Sequence, residues 1–303
     1  MDRPNLTVLT RATVRRVLFE GRRAVGVEIE RDGRVSAVRA SGEVVLSLGA
    51  MHTPKVLMQS GIGGEAELNR VGLPVLQHLP GVGANLQDHT AFCSIWEYRE
   101  PIAPRANGSE AKIYWKSRPE LETPDLLLCQ VEFPVPSERT ATRGVPASGW
   151  TMYAGLARPE SRGRIRLTGA DPHAPIEIDS NALSEPADMD TALACIELCQ
   201  ELGNARAFRP HVLGEALPGP LKGEAMKQFV RDSAVTYWHQ SCTAKMGRDA
   251  MSVVDAQLKV YGVEGLRIAD ASIMPRITTG NTQAPCAVIG ERAAAMIRRD
   301  HHV

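Results

Sequence analysis

At 303 residues with 43% hydrophobic composition, the chain can bury one large core or two ordinary ones. Its 35 Lys+Arg balance 35 Asp+Glu, so no basic field calls for nucleic acid or an anionic membrane as partner. No apolar run approaches the ~20 residues that span a bilayer and no apolar signal core opens the chain, so no membrane span is expected and a cytoplasmic location is favoured.

Asn5 to Thr10 alternates β-rich residues, and strands are expected at Ala12 to Phe19, Ala24 to Glu30 and Val35 to Ala40, with turns at Glu20-Gly21 and Arg31-Asp32-Gly33. That pattern is an antiparallel meander. Glu43 to Leu48 is more continuously apolar, as in a parallel-sheet strand, and Thr53-Pro54 should start a helix after it. Gly81-Val82-Gly83 follows Leu79-Pro80 and leads into no helix, so it reads as a turn rather than a phosphate loop. His78 and His89 lack a third ligand at a usable spacing, and the six cysteines include no Cys-x-x-Cys, so no metal site is expected and the thiols read as reduced.

Glu97 to Glu120, rich in Pro, Arg and Glu, reads as a linker or exposed loop. Asn5-Leu6-Thr7 and Asn107-Gly108-Ser109 are formal glycosylation sequons, a triplet frequent by chance. Asp125 to Phe133, Gly149 to Ala157 and Arg164 to Thr168 follow as strands of a mainly antiparallel sheet. Helices at Ser184 to Leu202, capped by Ser184 and stopped by Gly203, and at Lys222 to Asp232 should cover it. Cys195 and Cys199 share one face of the first of these, a packing arrangement. Strand character returns at Val253 to Asp255, Leu258 to Val263 and Leu266 to Asp270, and Pro285 opens a last helix, Ala284 to Arg299, closed by Arg298 and Arg299.

Two pieces of this last part carry chemistry. His239, whose ordinary pKa lies near neutrality, follows Tyr237 and Trp238, and Asn281 stands 42 residues later, just before a helix N-terminus that favours negative charge. Taken alone, His239 also fits a satisfied core histidine.

His239 in Tyr237-Trp238-His239-Gln240-Ser241-Cys242-Thr243, with Asn281, resembles the catalytic pair of the glucose-methanol-choline (GMC) oxidoreductases. Gly49-Ala50-Met51-His52-Thr53-Pro54 through Gly61-Ile62-Gly63 resembles the second family signature, and Pro80-Gly81-Val82-Gly83-Ala84-Asn85-Leu86-Gln87-Asp88-His89 is similar to a third family segment. The resemblance implies an FAD enzyme that oxidises a small-molecule alcohol, His239 taking the hydroxyl proton and Asn281 binding the oxygen. It implies cofactor contacts at Val14 for the adenine, at Asp270 and Ala271 for the diphosphate and ribityl region, and at Trp238, Asn281, Thr282 and Gln283 near the flavin. A plain strand residue at Val14 and a capping carboxylate at Asp270 are the alternatives. The implied fold is α/β and α+β: part of a Rossmann-like FAD-binding domain at 1–95, a substrate-binding domain with a mainly antiparallel sheet flanked by helices at 96–240, and a return to the FAD domain with the C-terminal helix at 241–303.

No Gly-x-Gly-x-x-Gly occurs in the 303 residues, and the resemblance covers about the last three-fifths of a family member. The expected partner is therefore the missing N-terminal half or a complementing subunit. The excursion after Asp88-His89 is also shorter than the family's usual lid. A hydroxynitrile-lyase-like relative and an inactive or complementing fragment are the other readings.

Overall fold

The structure is a computed structural model that describes residues 3–105 and 108–302. Asn107 of the second sequon lies outside the described residues. Strands β1 (Ala12–Glu20), β2 (Arg23–Arg31) and β3 (Arg34–Arg39) form the expected antiparallel meander. Asn5 to Thr10 does not extend it: Arg11, with φ 56°, turns the chain just before β1, and Leu6, Val8 and Leu9 stay exposed.

Strand β4 (Val44–Leu46) leads into helix α1 (Gly49–Gln59), which begins before Thr53-Pro54 and carries Pro54 inside it. An internal proline leaves the carbonyl four residues earlier without its N–H donor. Here that carbonyl belongs to Ala50, and the Thr243 hydroxyl donates to it at 2.7 Å. A short parallel pair, β5 (Ile62–Gly63) and β6 (Gln77–His78), brackets helix α2 (Glu65–Arg70). The following turn needs glycine for close packing: a Cβ on Gly81 would lie 2.0 Å from the Met251 carbonyl oxygen. Strand β7 (Ala84–Leu86) follows it.

The second sheet starts at β8 (Thr90–Tyr98), which runs through the expected 95/96 boundary, and continues with β9 (Ser109–Trp115), β10 (Leu126–Val131) and β11 (Gly149–Leu156). β9 overturns the reading of Glu97 to Glu120 as linker or loop. Tyr114 and Ile113 pair with Leu127 and Leu128, and this long-range pairing outweighs the polar composition around them. β12 (Gly163–Leu167) and β13 (Ile176–Asp179) join β7 in a separate antiparallel sheet. Helix α3 (Pro186–Gly203), strand β14 (Val212–Leu217), helix α4 (Gly223–Ser233) and strand β15 (Val235–Thr236) complete this half. The six-stranded sheet has the order β14-β8-β11-β10-β9, with β15 also on β8.

Two expectations about α3 change. Glu185, not Ser184, is the N-cap residue; the first turn is tied instead by buried Asp188, which accepts from the Glu160 and Ser161 amides at 2.7 and 2.8 Å. Gly203 is the last helical residue rather than the stop, and its hydrogen side chain makes room for the indole of Trp96, which stacks on Trp150 at 4.7 Å.

Strand β16 (Leu266–Ile268) runs parallel to β4, and helix α5 (Gln283–His301) closes the structure. Val253 to Asp255 and Leu258 to Val263 make isolated bridges instead of strands, as loop carbonyls and amides of this segment pair with one another. Arg267 of β16, 1% exposed, binds Glu43 at 2.7 Å and Asp300 at 2.6 Å, anchoring the far end of α5. Breaking such a buried set by removing one member typically costs about 3–5 kcal/mol.

One core gathers Leu57, Met58, Ile62, Leu68, Val253 and Ile268 around α1. Alternation along β8 divides the other: Phe92 and Trp96 face α3 and α4, whereas Ala91 and Cys93 face Tyr153 and Tyr237.

Gly203→Ala should lower the unfolding free energy by about 1–3 kcal/mol, since its Cβ would sit 2.2 Å from a fully buried indole. Gly290→Ala on exposed α5, with nothing within 4 Å, should instead raise it by about 1 kcal/mol. Urea midpoints of the two variants check both signs.

Candidate active site

The segment Asn85-Leu86-Gln87-Asp88-His89 straps two distant loops together. Gln87 and Ser241 exchange backbone hydrogen bonds at 3.2 and 2.9 Å, and the Gln87 side-chain carbonyl accepts from the Ile277 amide at 3.2 Å. The Asn85 amide donates to the carbonyls of Cys242 and Pro275 at 3.2 and 3.3 Å. Asp88 accepts from the Thr236 hydroxyl, from the His239 backbone N–H at 2.9 Å and from the Gln240 amide at 3.0 Å. Burial pushes the Asp88 carboxyl up, against the pull of these donors. The strap thus fixes the backbone on which His239 stands.

His89 fixes the ring. Its Nε2 lies 2.9 Å from the Thr278 carbonyl oxygen, and its Nδ1 lies 2.9 Å from Nδ1 of His239. A carbonyl only accepts, so His89 carries its proton on Nε2. Burial first, and His239 second, lower the His89 pKa to about 4, so near neutrality its Nδ1 is a bare acceptor. His239 must then donate from Nδ1, which leaves its Nε2 lone pair free. That lone pair faces Nδ2 of Asn281 at 3.4 Å. Oδ1 of Asn281 is held from the other side by Lys112 Nζ at 3.0 Å and the Tyr114 hydroxyl at 3.3 Å, which sets the direction of the amide.

Sheet register explains how two residues of β9 reach this point. Lys112, Cys129, Tyr153 and Cys93 form one cross-strand row, and Tyr114, Leu127, Gly155 and Ala91 the next. Both rows lie on the face opposite α3. Tyr237 covers them and stacks under His239, ring centroids 5.1 Å apart and 16° from parallel. Burial, then the charge of Lys112, lower the His239 pKa below the ordinary imidazole value. Near neutrality His239 is a neutral base with a directed lone pair. It can take a proton from a hydroxyl that also receives a hydrogen bond from Asn281.

Of the residues singled out in the sequence, His239 and Asn281 meet directly, and Thr282 and Gln283 follow at the start of α5, where Thr282 offers no side-chain cap. Ala271 is tied to the loop that carries His239 by its carbonyl, which accepts from the Cys242 amide at 3.0 Å. The Asp270 carboxylate is a cap: it accepts from Ser272 N at 2.8 Å, Gly49 N at 3.0 Å and Thr53 Oγ1 at 2.5 Å. Trp238, φ 57° and 70% exposed, lies parallel to Tyr153 at 6.1 Å and walls the open side. Val14 sits apart, in a hollow of about 320 Å³ walled by Val27, Val38, Val44, Val45 and Leu48. Among the described residues no group of three His, Cys, Asp or Glu side chains could hold a metal, and no helix is long and apolar enough to cross a membrane.

His89, Lys112 and Tyr114 escaped the sequence reading. His89 lies 150 positions from its partner, and β9 was hidden in polar surroundings; the alternation of Lys112 and Tyr114 beside Ile113 and Trp115 was the available signal.

The N-terminal and C-terminal profiles of the GMC oxidoreductases match residues 1–91 and 159–290. The chain belongs to the GMC oxidoreductase family. Among relatives of this GMC chain, an oxygen-dependent choline dehydrogenase of Chromohalobacter salexigens is 38% identical over 98% of the chain and 58% of its own length. An alcohol dehydrogenase [acceptor] of Pseudomonas putida is 38% identical over 99% of the chain and 59% of its own length. In structure, pyridoxine 4-oxidase from Mesorbium loti superposes with a TM-score of 0.92 at 30% identity, covering 100% of this chain and 59% of that one. A variant formate oxidase of Aspergillus oryzae, solved to follow modification of its FAD, gives 0.87 at 26%, covering 99% and 62%. The chain therefore spans about three-fifths of the length of these relatives.

A histidine whose folded pKa is depressed stabilises the fold above its unfolded pKa and less as pH falls towards the folded one. Between pH 6.5 and about 4 the burial of His89 should therefore cost on the order of 3 kcal/mol of stability. His89→Gln, which can still accept from His239 and donate to Thr278, should flatten that pH slope in denaturant titrations. Imidazole ¹⁵N shifts should show His239 protonated on Nδ1; an Nε2–H tautomer would contradict the assignment.

Proposed function

We propose that this chain is the substrate-activating part of an FAD-dependent enzyme that oxidises a small alcohol to a carbonyl compound. The observation that carries the reading is the unprotonated Nε2 of His239 facing the Asn281 amide, a base and a donor aimed at one place. The relatives named for choline, alcohol and pyridoxine share a CH–OH donor, and that common class is what we carry to this chain.

The residues present fit FAD in part. The apolar hollow beside Val14 suits a flat adenine, and the uncapped start of α5 at Thr282, Gln283 and Ala284 suits the carbonyl edge of a flavin, which becomes negative on reduction. Ala271 and the backbone at Asp270 are offered to the ribityl region, the Asp270 carboxylate being occupied by α1. Trp238 would wall the pocket beside the ring. With no Gly-x-Gly-x-x-Gly in the 303 residues, holding the diphosphate falls to a complementing N-terminal segment.

When bound, FAD supplies the acceptor for the hydride that leaves the carbinol carbon. The chain's own groups do the rest. His239 Nε2 receives the hydroxyl proton, Asn281 Nδ2 donates to the oxygen as it gains charge, and His89 holds the base in its reactive tautomer.

His239→Ala in the flavin-loaded enzyme should reduce kcat by about a hundredfold or more while leaving bound flavin unchanged. Rapid-mixing flavin reduction measures the step, and a loss of only a few-fold would assign the base elsewhere.

A further inference from the structure

Lys112 is the charged group of the site that proton abstraction does not use. Its Nζ bonds Asn281 Oδ1 at 3.0 Å, one amide away from the His239 lone pair, and the Tyr114 hydroxyl reaches the same oxygen at 3.3 Å. Among the described residues no carboxylate pairs with it. Asp88, the carboxylate of the strap, has both oxygens engaged by Thr236, Gln240 and the His239 amide. An ammonium has three donors; Asn281 takes one, and among the described residues the other two meet no protein acceptor, on a lysine exposed beside the Asn281 amide.

Lys112 thus puts a cation beside the Asn281 amide, while the opposing charge of Asp88 is turned to the His239 backbone. A quaternary ammonium alcohol would meet like charge there, whereas a carboxylate one bond from the carbinol would meet an unpaired ammonium and a phenol. The cross-strand rows set the face on which it stands: Lys112 is opposite Cys129 and in line with Tyr153, so its stem rises from the sheet face that carries the site.

Resting on the alcohol-oxidising reading, we propose that the substrate is a 2-hydroxy carboxylate, with Lys112 as the ion-pairing residue and Tyr114 as a second donor. The balance is simple. The carbinol carbon loses its hydrogen as hydride, the oxygen loses its proton to His239, and a 2-oxo carboxylate is released with its charge unchanged, while FAD is reduced.

The test compares kcat/KM of the flavin-loaded enzyme for lactate, for the neutral isostere propane-1,2-diol and for choline, in the wild type, Lys112→Gln and Lys112→Arg. Glutamine keeps a donor for Asn281 and removes the charge. Lactate should exceed both other alcohols by about tenfold or more. That ratio should collapse in Lys112→Gln through KM, and return in Lys112→Arg. Pyruvate binding, followed by calorimetry without turnover, should weaken in parallel. Choline or the diol as the better substrate, or a lactate preference untouched by Lys112→Gln, would overturn the proposal. Should no alcohol at all be oxidised, the alcohol-oxidising reading fails by itself. Pyruvate binding then decides the lysine's role: loss in Lys112→Gln supports it, and no binding to the wild type overturns it.

Discussion

A carbonyl oxygen cannot donate, and the arrangement of the site follows from the one that Thr278 presents to His89. It places the proton of His89 on Nε2, the proton of His239 on Nδ1 and the free lone pair of His239 towards Asn281. Neutrality of the buried His89 completes the chain, because a charged His89 would donate from Nδ1 and turn His239 to its Nε2–H tautomer, removing the free lone pair. The same logic extends outward: with Lys112 and Tyr114 both donating to Oδ1, Asn281 has its amide nitrogen, a donor, turned to the base. An imidazole with a free lone pair, the second imidazole that orients it and the amide that faces it are set by polarity alone, on loops that have little regular structure.

Those loops are positioned by groups that serve the backbone. Thr243, four residues past His239, fills the vacancy left by Pro54 in α1, and Asp270 grips the first turn of the same helix. Helix α1 is therefore a shared post for the loop after β15 and the loop after β16. The dipeptide Asp88-His89 divides the remaining work: the carboxylate holds the main chain of His239 and the imidazole holds its side chain.

Much of this was legible in the sequence where one segment's pattern suffices. The meander of β1 to β3, strands β10 to β12, helices α3 to α5 and the pairing of His239 with Asn281 came from local alternation, helical spacing and recognisable motifs. What escaped depends on partners far away in sequence. β9 is a strand because β10 pairs with it, His89 is part of the site because of a ring 150 residues later, and Gly203 is glycine because of Trp96. Asn5 to Thr10 failed for the opposite reason: the alternation was present, but the left-handed turn at Arg11 leaves it no edge to join. Ser184 looked like a cap because serine caps commonly; α3 starts after Glu185 with no side-chain cap, and Asp188 instead ties its first turn to the Glu160-Ser161 backbone.

The parallel pair of β4 with β16 joins Val44 to Leu266, whereas every strand of the six-stranded sheet lies between Thr90 and Thr236. That sheet can therefore condense from one continuous stretch of chain, drawing the ends of a long loop together before the β4 edge is captured. The site draws on both sides of that junction: Asp88, His89 and Tyr237 hold His239 from the two ends of the sheet's own stretch of chain, whereas Thr278 and Asn281 follow β16. A chain ending before Leu266 would therefore lack both the carbonyl that sets the His89 tautomer and the amide that faces His239.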